Sequence, residues 1–469
     1  MGGMLPDPST LTLFTACQAL LRHDFSCLEL TEACFRRIQS LNPAINAFIT
    51  PMLEQAVPAA MQADILLAKD PPDVKAFPLL GLPLAIKDLI DVAGVPTTAG
   101  SKFFGERPAV NDALVVARLK SAGAVLLGKT NTHEIALGVT GVNPHFGAVK
   151  NPWDETRITG GSSSGSAAAV ASGMSLAALG TDTGGSIRIP ASLCGVVGLK
   201  PTCGRVSTRG VVPLSWNLDH VGPLARAVRD AALLLSVLAG YDPDDPTSLA
   251  APVEDYLAHL DDGVASWRIA LAGGEFIGTS DAEVFEAFRA AGRVFESLGA
   301  RIETVNLDWL QPLTVANGRT TTADAAAFHR ERLMEHPDWF GRDVRERLQA
   351  GAAVTSTEYA LARRTQSEAR RRFELFFAEY DLLLLPTTPA PALPIEGTDP
   401  VEAANLLTRF TSPFNLTGLP ALSVPGGFTG AGLPVGLQLV SKHWGEARVL
   451  QAGLAFEQAT EWHDRRPPL

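Results

Sequence analysis

A chain of 469 residues with 46% apolar and 19% charged residues has the makings of a large globular core, and it is not the composition of a disordered polymer. A net charge of −11 without any basic run argues against a nucleic-acid surface. Cys17, Cys27, Cys34, Cys194 and Cys203 form neither a CxxC pair nor a Cys/His ligand spacing, which reads as the reduced thiols of a cytoplasmic protein without metal or other cofactor.

Residues 9–65 carry helix-period patterning, with N-caps expected at Ser9 or Thr10 and at Thr31. The N-terminus has no basic segment leading into an apolar one, so no secretory signal is expected, and no apolar run is long enough for a membrane span. A turn is expected at Lys69–Asp73, where DPPD stops any helix. Leu84-Ala85-Ile86 then reads as a short buried strand with Lys87 at its end, and residues 112–120 as a helix.

AVLLGKT (124–130) reads as another buried strand. With Gly123 it satisfies the phosphate-loop pattern GxxxxGKT, but the four variable residues are themselves the strand, leaving no loop to wrap a phosphate. Between Gly160 and Pro190, two Gly/Ser clusters (Gly160–Ser166 and Thr183–Ser186) bracket an Ala-rich segment expected to be helical. Strands and turns fill 196–225, a helix begins near Arg226, and Asp242–Asp262 reads as a long surface connection. Residues 267–272 and 301–306 are expected strands around a helix, Asp281–Leu298, and a helical stretch covers about 321–380 with a break near Pro337. Strands at 381–387 and within 421–441 and a closing helix near 446–460 complete an alternation that favours one large α/β domain.

Three features carry chemistry. Lys87, ending a buried strand, either snorkels to solvent or, if desolvated, becomes a neutral base near pH 7. Ser186 follows Gly184-Gly185, where backbone N–H groups of Thr183 to Ser186 can converge on one point beside a hydroxyl; a plain turn is the alternative. Ser162, Ser163 and Ser164 form either a flexible loop or part of the same site. No G-x-S-x-G elbow is read as centred on these serines, the histidines show no evident pairing and HExxH is absent, so serine nucleophiles stand without a histidine base and without a zinc motif, and Lys87 fills that gap.

GLPLAIKDLID around Lys87, GGSSSGSAAAVASG, and GTDTGGSIRIPASLCGVVGLKPTCGRVS together resemble the amidase signature family. The resemblance continues through GKTNTHEIALG, NPWD, LDHVGPLARAVRDAA, DLLLLPTTPA and FNLTGLPALSVPGGF, sparing mainly 240–330. It implies an α/β amidase signature fold, with a large, mostly mixed central sheet and helices on both faces. One domain, 1–469, would comprise an N-terminal helical part (1–70), a catalytic core (79–235), a variable region (240–330) and C-terminal strands and helix (381–460).

The resemblance also implies a Ser–cis-Ser–Lys triad, with Ser186 as nucleophile, Ser162 as bridging serine after a cis Gly161–Ser162 peptide, and Lys87 as base. Amides of Thr183, Gly184, Gly185 and Ser186 would form the oxyanion hole, with Ser163 and Asp182 in support. Ser164 stands where many relatives carry glycine. Leu137–Asn143 (Leu137, Gly138 and Asn143 among them), Pro213–Asn217 with Trp216, the 315–330 helix and Phe146 are expected pocket walls, and Arg188 is a candidate carboxylate handle, although the family's arginine at that place is more often structural. The expected activity is hydrolysis of an amide, with carbamates (urethanes), aryl amides and esters as side substrates, by a monomer or homodimer. The rival is the glutaminase (A) subunit of a tRNA-dependent amidotransferase, disfavoured by Cys203 where such subunits usually carry tyrosine and by the 317–331 segment. A silent binding protein on the same scaffold is the non-enzyme alternative.

Overall fold

The structure, a computed structural model, describes residue 7 and residues 10–68, 77–105 and 108–469. Among these, the strands are β1 (Phe48–Pro51), β2 (Pro83–Lys87), β3 (Val125–Thr130), β4 (Lys150–Asn151), β5 (Asp154–Ile158), β6 (Ala177–Asp182) and β7 (Val197–Lys200). They continue with β8 (His220–Ala225), β9 (Arg268–Gly273), β10 (Arg301–Asn306), β11 (Leu382–Pro386), β12 (Ala421–Phe428) and β13 (Pro434–Val440). One eleven-stranded sheet has the order β1-β3-β2-β6-β8-β7-β12-β13-β11-β9-β10, and β4 pairs with β5 apart from it. The sheet is mixed: β2 lies parallel to β3 and β6, and β9 parallel to β10 and β11, while β6–β8 and β12–β13 are antiparallel.

Alternation along the strands explains how both faces are buried. Leu84 and Ile86 join the main core with Leu126, Ala177 and Leu179, whereas Ala85 joins a second core with Leu127 and Ala178. That second core is filled by Ala167 to Ala171 of the helix Ser164–Ala171, whose small side chains let it lie close to the sheet. Helices therefore flank the sheet, as the fold class requires.

The stretch from Gly160 to Pro190 is not one helix between two loops. It turns from the helix Ser164–Ala171 into β6, so a central strand carries the second Gly/Ser cluster directly at its end. The small-residue composition that suggests helix also suits close packing within a sheet buried on both faces.

Two expected caps are displaced. Thr31 is buried inside the helix Cys27–Ile45, which starts earlier because Ser26 and Glu29 form a reciprocal capping box, with bonds of 3.0 and 2.8 Å. Thr12, not Thr10, caps Leu13–Leu21. Ser9 and the turn at Lys69–Asp73 lie outside the described residues. GxxxxGKT is strand, as expected, and Lys129 pairs with Asp88 at 2.8 Å with neither side chain exposed. The helical stretch starts earlier than expected, at Gln311–Phe328, and continues through Arg342–Ala352 and Ser356–Glu379, with the break at Pro337–Trp339. Helices Pro400–Leu407 and Ser412–Thr417 add to the expected elements. No helix among the described residues is long and apolar enough to cross a membrane.

Candidate active site

Because β2 and β6 are parallel neighbours, Lys87 and the pair Thr181–Asp182 leave the sheet at the same edge, where open α/β sheets place their ligands. Lys87 is fully buried, and its Nζ donates to Ser162 Oγ and Thr181 Oγ1, both at 2.7 Å. Burial pulls its pKa down to about 7, against the opposing pull of Asp182 and Asp219. Near neutrality this amine is therefore shared between its charged and free forms, and the free form can accept a proton from Ser162.

Ser162 follows a cis Gly161–Ser162 peptide. Its carbonyl accepts from Thr132 Oγ1 at 2.9 Å and from the His133 N–H at 3.2 Å. Ser163 ties the two Gly/Ser clusters together: its N–H donates to the Ser186 carbonyl at 3.1 Å, and its hydroxyl donates to the Thr181 carbonyl, also at 3.1 Å. Gly161-Ser162-Ser163-Ser164-Gly165 does spell G-x-S-x-G centred on Ser163, but that hydroxyl is spent on backbone. No histidine ring among the described residues bonds a serine. The pattern is fortuitous.

The loop after β6 is folded around Asp182. Its carboxylate accepts the N–H of Gly185 (2.8 Å) and Ile187 (3.1 Å), Arg188 Nη2 (2.9 Å) and Asn415 Nδ2 (2.8 Å). Burial opposes its ionisation, but the Arg188 guanidinium overcomes that and holds the carboxyl well below the usual range. From outside, Asn317 donates to the Thr183 carbonyl at 3.3 Å and Thr411 to the Gly184 carbonyl at 2.6 Å. With its carbonyls held outward, the loop leaves the N–H groups of Thr183, Gly184 and Ser186 without an acceptor among the described residues. The expected fourth donor, Gly185, is corrected: its N–H is already bound to Asp182. Glycine is required there, since φ is +137° and a Cβ would fall 2.3 Å from Thr411 Oγ1.

Replacing Asp182 with alanine leaves the Arg188 guanidinium buried without its partner. The cost expected is about 3–5 kcal/mol, read as a lowered thermal midpoint, with Asp182→Asn falling between. Asp219 supports the same loop: it accepts Thr183 Oγ1 at 2.5 Å and the N–H groups of Leu214 and Ser215, and burial raises its pKa to about 6.

Ser186, Thr183 and Gly184 open into a cavity of about 870 Å³. Leu137 and Gly138 line it as expected, and the helix Gln311–Phe328 supplies a long wall. Other expected pocket residues are elsewhere. Asn143 is buried, donating to the carbonyls of Gly100 and Thr132 at 2.9 and 2.8 Å. Trp216 is 46% exposed and off the lining, as is Phe146, whose carbonyl binds Asn46. Arg188 is no substrate handle, since its donors are consumed by Asp182, Thr411, Gln438 and Asn415. Sequence reasoning assigned no task to Thr181, Asp219, Thr411 and Asn415, and reached Asn317 only as part of the 315–330 helix expected as a pocket wall. The available signal was that Thr181, Asp219 and Asn415 fall inside motifs of the family resemblance without an assigned task.

Comparison with known proteins is consistent along the whole chain. The family model Amidase matches residues 29–450. The A subunit of the glutamyl-tRNA(Gln) amidotransferase of Roseiflexus sp. (strain RS-1) is 41% identical, covering 98% of both chains. An inhibitor-bound complex described in connection with the evolutionary origins of an s-triazine catabolic enzyme superposes with a TM-score of 0.91 at 34% identity, covering 96% of this chain and 98% of its own. A crystal structure of an amidase gives a TM-score of 0.85 at 38% identity, over 96% and 99%. With this likeness and the motifs brought together at one sheet edge, the chain belongs to the amidase signature family.

Proposed function

We propose that the protein cleaves the carbon–nitrogen bond of a linear amide through an ester formed on Ser186. The observation that carries this is the desolvated Lys87 amine, 2.7 Å from Ser162 Oγ and poised near pH 7. Neutral Lys87 takes the Ser162 proton while Ser162 takes that of Ser186, whose oxygen adds to the amide carbonyl. The N–H groups of Thr183, Gly184 and Ser186 receive the resulting oxyanion. Collapse breaks the carbon–nitrogen bond, the amine leaves with a proton returned through Ser162, and water hydrolyses the acyl ester. Esters, aryl amides and carbamates present the same carbonyl and leaving group.

Two settings share this chemistry. The names of the curated relatives support the glutaminase component of a tRNA-dependent amidotransferase, with a protein partner, more strongly than a free-standing hydrolase. Cys203 does not decide the matter, since its N–H simply donates to the Gly418 carbonyl at 3.0 Å, away from the cavity lining. Incubation with a sulfonyl fluoride and mass spectrometry is expected to place one adduct on Ser186; an unmodified Ser186 in a protein that hydrolyses amides refutes the mechanism. Glutamine turnover that requires a second protein chain selects the amidotransferase setting, and turnover of simple amides by the chain alone selects the hydrolase.

A further inference from the structure

The cavity above Ser186 has a charge character at odds with the protein around it. The chain as a whole carries −11, yet the cavity is lined by Arg319, Arg347 and Arg409 and by no aspartate or glutamate. Two of these arginines are already engaged. Arg319 faces Glu358 at 3.7 Å, and Arg347 donates to the carbonyls of Leu137 (3.4 Å) and Pro400 (2.8 Å), bracing the wall.

Arg409 is different. Its guanidinium lies over the Phe276 ring, 4.7 Å from the centroid, and 5.7 Å from that of Phe410, while the two rings meet edge to face at 5.3 Å. Among the described residues its side chain makes no hydrogen bond and no ion pair. Glu275, the acidic residue that most influences it, stands outside the lining. Stacking fixes the plane of the guanidinium without consuming its N–H donors. The backbone holds it too: Arg409 follows Thr408 in the segment whose Thr411 is bonded to the Gly184 carbonyl, so receptor and oxyanion loop are one connected unit.

We propose that Arg409 is a specificity residue that receives a carboxylate on the substrate, so that the favoured substrates are amides carrying a carboxylate away from the scissile bond and no ammonium. An ammonium finds no counter-charge in the lining. This rests on the amide-hydrolase reading and deepens it, and it weighs against free glutamine as the favoured donor.

The test compares glutaramate, pentanamide and glutamine as substrates of the purified protein, each releasing ammonia. Glutaramate is expected to exceed the other two in kcat/KM by about 10- to 100-fold, mostly through KM, the range for a hydrogen bond to a charged group. In Arg409→Met, which keeps a side chain on Phe276, the glutaramate-to-pentanamide ratio is expected to fall at least about tenfold. Calorimetric binding of glutarate to the wild-type protein, weakened in Arg409→Met, reads the same site without catalysis. Equal turnover of glutaramate and pentanamide, a preference for glutamine, or a ratio unmoved by Arg409→Met overturns the proposal. If the chain alone hydrolyses none of the amides, the sulfonyl fluoride adduct on Ser186 decides the acyl-ester reading, and glutarate binding, unweakened in Arg409→Met, overturns the role of Arg409.

Discussion

Ser186→Ala is expected to lose about 10⁴- to 10⁶-fold in amide turnover while keeping the thermal midpoint of the parent. Ser186 is only 5% exposed, yet its side chain makes no hydrogen bond among the described residues, so removing the hydroxyl leaves no donor or acceptor orphaned in the core. What is lost is the oxygen that, in the proposed mechanism, forms the ester. The three N–H groups proposed to receive the oxyanion are expected to remain in place, because Asp182, Asn317 and Thr411 hold the loop through its backbone rather than through the serine side chain. Residual hydrolysis from that preorganised loop is therefore expected above the solution rate. The measurement is kcat on the best amide of a panel, alongside thermal unfolding. A variant retaining more than about a tenth of the parent rate places the nucleophile elsewhere.

Lys87 is expected to set the pH dependence. With a folded pKa of about 7 and the neutral amine as the active form, kcat/KM is expected to climb through pH 7 and level off on the alkaline side. Lys87→Met removes the base and is expected to cost at least about 10²–10⁴ in rate. The same residue has a stability signature that runs in the same direction with pH. In the unfolded chain its pKa returns to about 10.4, so between pH 7 and that value the unfolded state binds the extra proton and folding strengthens as pH rises. Below pH 7 the folded protein bears the full penalty of a buried ammonium. Lys87→Met is thus expected to gain most in thermal midpoint at pH 6, with the gain shrinking towards pH 10. A rate limb centred far from 7, or a midpoint difference that grows with pH, contradicts this assignment.

How far the site could be read from the chain alone depended on what kind of interaction built each part. Lys87 was legible because a lysine closing an apolar strand is chemically odd, and Ser186 because two glycines precede it. β6 was not, since alanine, glycine and threonine between two Gly/Ser clusters have no period that separates strand from a small-residue helix. The tasks of Asn317, which lies on a helix expected only as a pocket wall, and of Thr411 were hidden for a different reason. The two residues act on the carbonyls of Thr183 and Gly184 from 134 and 227 positions away, and ordinary polar residues on distant helices leave no local trace. Arg188 misled in the other direction. An arginine beside a nucleophile reads as a ligand for substrate until its burial shows that the core has claimed every donor.

Those same long-range bonds bear on how the protein comes into being on the ribosome. Lys87, Ser162 and Ser186 have all been synthesised before the chain is half made, and domains begin to organise from the N-terminal side during synthesis. The loop after β6, however, is closed by Thr411, Asn415 and, through Arg188, Gln438, none of which has emerged by then. A nascent chain therefore carries Ser186, the proposed nucleophile, in an unfinished setting until β13 has been added. Under the proposed mechanism, the oxyanion loop is thus expected to reach its working geometry only once these C-terminal partners are in place.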